Sequence, residues 1–329
     1  MLKKITLYLI LISGLAYGIR YILYKGIRHN QKGLYHKLDQ LFLQKNEFNT
    51  IFIGSSRAEC HFNPRIFDSI TGLNSFNIGM SGSNNAFTYS LLKAYLYNSK
   101  APANIIMNLD FHFSHESSDT IYNYPRYFPY LSNPVLYTEL KKIDPRFFWF
   151  KNFPLYTFAH MGDKYLNYSL RGYFGWNGPY MQESYKGNEK VIPLNYKNID
   201  SIPSTPYKGS ILPENMAYLD SIVTLSRQLR AKIYFVISPT YYKGSNRISN
   251  LTEHINNFKQ FAQQKNIPVF DYTNDSICYQ KNLFADFYHM KGNGCDIFSG
   301  KFSGDFARLP LRHRGSLRLF KKGAQSSHL

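Results

Sequence analysis

Two serines close a short apolar run in "TIFIGSSR" (Thr50–Arg57), and far along the chain an aspartate and a histidine stand three apart in "DFYH" (Asp286–His289). A serine hydroxyl is a poor nucleophile at neutral pH and needs a base within hydrogen-bond reach. An imidazole supplies that base, and a carboxylate can orient the ring and stabilise it once protonated. One helical turn would make Asp286 and His289 neighbours. A tetrahedral intermediate also needs donors aimed at its oxyanion. Gly82, in "NIGMSGSNN" (Asn77–Asn85), has no Cβ and lets the backbone come close, so its N–H is one candidate donor and that of Ser56 a second. Taken alone, the Gly-Ser-Ser stretch reads as an ordinary helix N-cap in which either serine would serve. Arg57 reads equally as a cation for a substrate carboxylate or phosphate and as an ion-pair partner of Glu59 or Asp68.

The elements around these residues alternate. Short apolar runs at "TIFIG", "SFNIGMSG" (75–82), "NIIMNLDFHF" (104–113), "KIYFVISP" (232–239) and "IPVFDY" (267–272) read as strands. Between them lie helical patterns over 85–100, 212–231 and 251–266, which predicts a parallel sheet with helices on both faces. Chemistry in such sheets gathers at the carboxyl ends of the strands. The Gly54–Arg57 turn, the Gly79–Asn84 turn and the residues after Asn108 all fall there. Residues 114–210 break the rhythm, are rich in Tyr, Phe, Pro and Asn, and hold Trp149 and Trp176. They read as an inserted lobe, with aromatic faces suited to sugar rings or, for most of them, to the lobe's own core. The organisation expected is therefore an N-terminal membrane segment (1–24), a polar, partly helical connector (25–48), an α/β domain (49–113 and 211–309), the inserted lobe (114–210) and a basic tail (310–329).

Order and placement of the motifs resemble the SGNH (GDSL-type) hydrolases, and more closely the membrane-anchored branch associated with acylation of cell-envelope polymers, the DltD-, AlgJ- and AlgX-like proteins. The matching residues are Gly54-Ser55-Ser56, Asn77-Ile78-Gly79-Met80-Ser81-Gly82 and Asp286-Phe287-Tyr288-His289. The resemblance covers 50–112 and 212–306 but not the lobe. It implies a flavodoxin-like three-layer α/β/α sandwich with a five-stranded parallel sheet. It also implies Ser56 as nucleophile, Asp286 and His289 as its partners, and Gly82 in the oxyanion hole. Ser55 stands where many members have Asp. The usual Gly-x-Asn-Asp block is replaced by "MNLDFHF", which leaves the third oxyanion donor open between the side chains of Asn108 and Asn84, with a purely structural hydrogen bond as the equal alternative for Asn108. The activity implied is ester hydrolysis or O-acyl transfer on an envelope or exported polysaccharide, with an acyl-transporting membrane protein as a plausible partner. The rival function is a non-catalytic carbohydrate-binding or scaffold protein of an export complex.

Charge narrows the classes further. The chain of 329 residues carries 39 Lys+Arg against 21 Asp+Glu, a formal +18, but the excess is terminal. Residues 1–38 hold seven cations and 306–329 hold six, with no acid in either stretch. Set those aside and 26 cations face 21 acids, too even a balance for a nucleic-acid groove. Lys3 and Lys4 precede an uncharged run from Ile5 to Ile19, and Arg20 then precedes "YILY". That reads as an uncleaved membrane anchor if Arg20 snorkels, with a cleaved signal peptide as the alternative. The anchor reading places the lysines inside and the body extracytoplasmic. Cys60, Cys278 and Cys295 are odd in number and lack C-x-x-C spacing, so they read as small buried hydrophobes. Asp110 and His112 lie near the expected site without further ligands; no metal and no cofactor is expected.

Overall fold

The computed structural model describes residues 1–29, 34–110, 121–175, 186–188, 199 and 205–309. His112, Trp176 and the tail from 310 onward lie outside them. Helix α1 (Leu2–His29) leads into α2 (Leu34–Phe42) and the first strand, β1 (Thr50–Ile53). Then come α3 (Ser56–His61), α4 (Pro64–Thr71), β2 (Ser75–Asn77), α5 (Asn85–Asn98) and β3 (Asn104–Asn108). After a 3-10 segment at Tyr124–Tyr130 the chain forms α6 (Pro134–Ile143), α7 (Phe147–Asn152) and α8 (Pro154–Tyr173). It returns through α9 (Pro213–Gln228), β4 (Lys232–Ile237), α10 (Tyr242–Ser245), α11 (Leu251–Gln264), β5 (Val269–Asp271) and α12 (Gly292–Ala307).

The described strands make one sheet in the order β2-β1-β3-β4-β5, every pairing parallel. Alternation along the strands divides the apolar residues between two cores. Ile51, Ile53, Ile105, Met107, Phe235 and Ile237 point to a core that includes Leu41, Leu91, Leu92, Leu219, Ile222 and Phe258 from α2, α5, α9 and α11. Phe52, Ile106, Tyr234 and Val236 point to the other, with Ala58, Phe62, Phe67, Phe298, Phe302 and Phe306 around α3, α4 and α12. A strand buried on both faces needs apolar residues at every position, which is why these segments read as continuous runs. Five parallel strands between two helical layers are the SGNH-like arrangement that the motifs imply.

Two stretches differ from the sequence reading. The connector is core-forming: α2 buries Tyr35, Leu38, Leu41 and Phe42, and even Lys37 is fully covered. The segment after His289 forms α12 in spite of Gly292, Gly294, Gly300 and Gly304. Phe298, Phe302 and Phe306, spaced by four, lay one apolar stripe on the sheet. A Cβ at Gly294 would stand 2.3 Å from the Leu283 carbonyl oxygen, so close approach demands glycine there.

Candidate active site

Strand β1 ends at Gly54, whose φ of +135° is a conformation L side chains avoid, and a Cβ there would press on Ala58 and the Asn108 carbonyl at 3.0 Å. The chain turns at once into α3. Ser55 is the N-cap, its Oγ accepting from the Arg57 N–H (3.3 Å), and Ser56 is the first helical residue. Ser56 Oγ lies 2.7 Å from His289 Nε2, and His289 Nδ1 lies 2.8 Å from Asp286 Oδ2. The residues that hold this series come from a bend rather than the helical turn expected. Asp286 Oδ1 accepts from the backbone N–H groups of Tyr288 (2.7 Å) and His289 (2.8 Å), and Ala285 N–H closes the loop on the His289 carbonyl (2.8 Å). Burial alone would raise the Asp286 carboxyl. The His289 hydrogen bond, its charge and the two backbone donors outweigh that and hold it below the ordinary carboxylate range. Asp286 is therefore an anion at neutral pH, and the His289 side chain keeps 27% of its surface open to solvent.

On the other side of the same turn lies a closed cluster. Asp110, two residues beyond β3, accepts from Ser55 Oγ (2.5 Å), Arg57 Nη1 (3.0 Å) and Asn108 Nδ2 (3.1 Å). Arg57 is 1% exposed, and its Nη2 donates to the carbonyls of Ser238 (2.5 Å) and Pro239 (3.3 Å) just after β4. The cation considered for substrate binding thus faces protein groups. The ion pair is formed with Asp110 rather than with Glu59 or Asp68. The guanidinium ties the ends of β1, β3 and β4 together.

The glycine block after β2 is braced from both sides. Asn77 donates to the carbonyls of Ala58 (2.8 Å) and Phe62 (2.9 Å) and accepts from the Gly79 N–H (2.9 Å). Glu59, on α3, accepts from Ser81 N–H (2.9 Å) and Ser81 Oγ (2.5 Å), and pairs with buried Lys37 of α2 (2.7 Å), which also donates to the Gly79 carbonyl. Arg126, itself buried, donates to the carbonyls of Ser81 (3.2 Å) and Tyr122 (2.9 Å). Gly82 has φ +75°, and a Cβ on it would collide with the Tyr122 side chain. Asn84 caps α5, its Oδ1 accepting from the Phe87 N–H (2.9 Å).

His61, at the other end of α3 from Ser56, is fully buried. Its Nδ1 is 2.9 Å from Ser238 Oγ, and its Nε2 accepts from the Met290 N–H (3.2 Å), the residue after His289. Accepting at Nε2 requires the neutral ring. Burial, and then the charges of Arg57 and His289, push its pKa well below the ordinary value. One six-residue helix therefore carries the serine and fixes the backbone of the histidine that faces it. The sequence offered no sign of this brace or of the Lys37–Glu59 pair, because a polar residue facing inward has no distinctive spacing. The three cysteines are buried and none is joined in a disulfide, and no metal-holding group of His, Cys, Asp or Glu occurs among the described residues.

No family model and no curated protein sequence matches the chain. Among solved structures, it is similar to a candidate lipolytic protein of the G-D-S-L family from Desulfitobacterium hafniense DCB-2. Identity there is 11% and TM-score 0.40, over 79% of this chain and 98% of that one. It is also similar to a candidate platelet activating factor from Streptococcus pneumonia, with 13% identity and TM-score 0.42, over 92% of this chain and 99% of that one.

Proposed function

We propose that the chain is a serine-dependent acyl-ester enzyme of the SGNH type. The observation that carries this reading is the hydrogen-bonded series Ser56 Oγ–His289 Nε2–Asp286, at the carboxyl ends of a parallel sheet. Ser56 Oγ attacks the ester carbonyl while its proton passes to His289 Nε2. Asp286, already an anion, stabilises the imidazolium that forms. The proton then goes to the departing alkoxide, which leaves as an alcohol and frees an acyl-Ser56. Water or a second hydroxyl gives its proton to His289 and attacks the acyl carbonyl; the bond to Ser56 Oγ breaks as that oxygen takes the proton back from His289, releasing the acid or a new ester. The oxyanion is assigned to the N–H groups of Ser56 and Gly82. Asn108 is the side-chain donor we favour, since its amide nitrogen gives one hydrogen to Asp110 and carries a second. Asn84, whose carbonyl oxygen serves as a helix cap, is the rival.

Arg57 acts in this reading as a brace behind the nucleophile turn, not as a contact for substrate. The motif resemblance, together with an N-terminal helix long enough to anchor the chain in a membrane, supports acyl groups on an envelope or exported polysaccharide as the substrate class, with the body on the extracytoplasmic side. A fluorophosphonate probe on the full chain tests the chemistry. Labelling at Ser56, lost in Ser56→Ala but kept in Ser55→Ala, together with turnover of p-nitrophenyl acetate, is the expected result. Absence of both labelling and turnover favours the non-catalytic carbohydrate-binding or scaffold reading instead.

A further inference from the structure

The first helix is half exposed and half built into the body. Every residue from Leu2 to Leu15 is exposed, and the buried positions of α1 are Ala16, Leu23, Gly26 and Ile27. At 1.5 Å per residue the free portion is about 21 Å long, whereas a bilayer's hydrocarbon core is about 30 Å thick. A spanning α1 must therefore sink roughly six residues further, to about Tyr21, and whatever is attached at that level goes with it. The attached part is the α7–α8 turn. Tyr17 Oη donates to the Asn152 carbonyl (2.6 Å), and Arg20 Nη1 donates to the Lys151 carbonyl (2.7 Å). The Arg20 guanidinium also lies 4.6 Å from the centre of the Tyr17 ring. Helix α8 then runs up beside α1, away from the free end, so that Gly26 touches the Ser169 backbone. The turn is thus the part of α8 nearest the free end of α1. Its outer surface carries Phe148, Trp149, Phe153 and Leu155, between 43% and 62% exposed.

We propose that this turn is a second membrane contact, with Phe148, Trp149, Phe153 and Leu155 seated in the interfacial layer of the bilayer beside α1. Aromatic side chains favour that layer, where an apolar ring and a polar edge are both accommodated. Arg20 enters it with its charge met by a backbone carbonyl and an aromatic face. The proposal depends on α1 lying in a bilayer and not on the chemistry at Ser56.

The test uses the full chain with Trp176→Phe, which leaves Trp149 as the single tryptophan, in phosphatidylcholine/phosphatidylglycerol vesicles with and without bromine on the acyl chains. Trp149 is expected to lose most of its emission to bromolipid and to resist aqueous iodide. Emission quenched by iodide and untouched by bromolipid, in protein that floats with the vesicles, overturns the proposal. Failure to float overturns it too, because α1 then occupies no bilayer. A nitroxide on Leu155→Cys gives an independent reading, since the native cysteines are buried. Greater accessibility to oxygen than to a water-soluble nickel chelate supports insertion, and the reverse order overturns it.

Discussion

Ser55 and Ser56 carry the same side chain on neighbouring residues, yet they meet opposite kinds of surroundings. Ser55, itself buried, faces a carboxylate that already accepts from Arg57 and Asn108. Ser56 faces an imidazole nitrogen whose ring is held on its far side by Asp286 and is partly open. The difference lies in where a proton can go. Asp110 is already engaged by a guanidinium and an amide, whereas the imidazole of His289 is, on the proposed mechanism, the base that takes the Ser56 proton. A hydroxyl and an acid meet a guanidinium on one side of the turn and build a brace; on the other a hydroxyl and an acid flank an imidazole, which the proposed mechanism uses as a proton relay.

That contrast can be broken at either side. Ser56→Ala should cost the largest factor, about 10⁶-fold in esterase kcat together with all phosphonate labelling. Asp286→Asn, which leaves His289 in the wrong tautomer, should lower kcat by roughly 10³- to 10⁴-fold with the fold intact by circular dichroism. Asp110→Asn should act on stability, since it leaves the buried Arg57 charge without its anion. A loss of about 3–5 kcal/mol in urea unfolding is expected. Labelling of the remaining folded fraction should persist, and its complete loss would move Asp110 to the reactive side.

A pH experiment reads the brace at His61. The folded protein keeps this ring neutral, whereas the unfolded chain takes up a proton below about 6.5. Its contribution is thus present above that value and declines as pH falls, by up to about 1.4 kcal/mol per pH unit. His61→Gln should be less stable at pH 7.5 and show a shallower decline between about pH 6.5 and 5. Asp286, with its depressed value, adds the same sign at lower pH: its contribution is full above about 4 and fades as the carboxylate is protonated. Ser55→Ala should have the smallest effect, about 1 kcal/mol of stability for the lost cap, with labelling and turnover retained. Retained turnover in Ser56→Ala with loss in Ser55→Ala would invert the comparison.

The sheet was legible because strands covered on both faces must be apolar throughout, and "TIFI", "NIIMN" and "KIYFVI" show that with no polar alternation. The spacing of Asp286 and His289 suggested a helical turn, whereas the geometry that joins them is an Asp-capped bend. Helix α12 was not legible, since its glycines argue against a helix and serve packing that only the tertiary contacts reveal. Lys37 fell in a stretch read as a polar connector; it is tolerated inside because Glu59 and the Gly79 carbonyl receive its donors. Asp110 was noticed beside the site, but its partner Arg57 sits 53 residues away, beyond any local pattern.

Helix α1 also bears on how the chain can be shortened. The change from exposed to core-forming falls inside this one helix, near Ala16, and Leu23, Gly26 and Ile27 belong to the packing of the body. Trimming back to about residue 14 removes exposed apolar surface and leaves the fold covered. Trimming the whole helix strips a wall from the region beneath α8 and exchanges one sticky surface for another. The place to cut is set by burial along the helix, not by where its hydrophobic sequence ends.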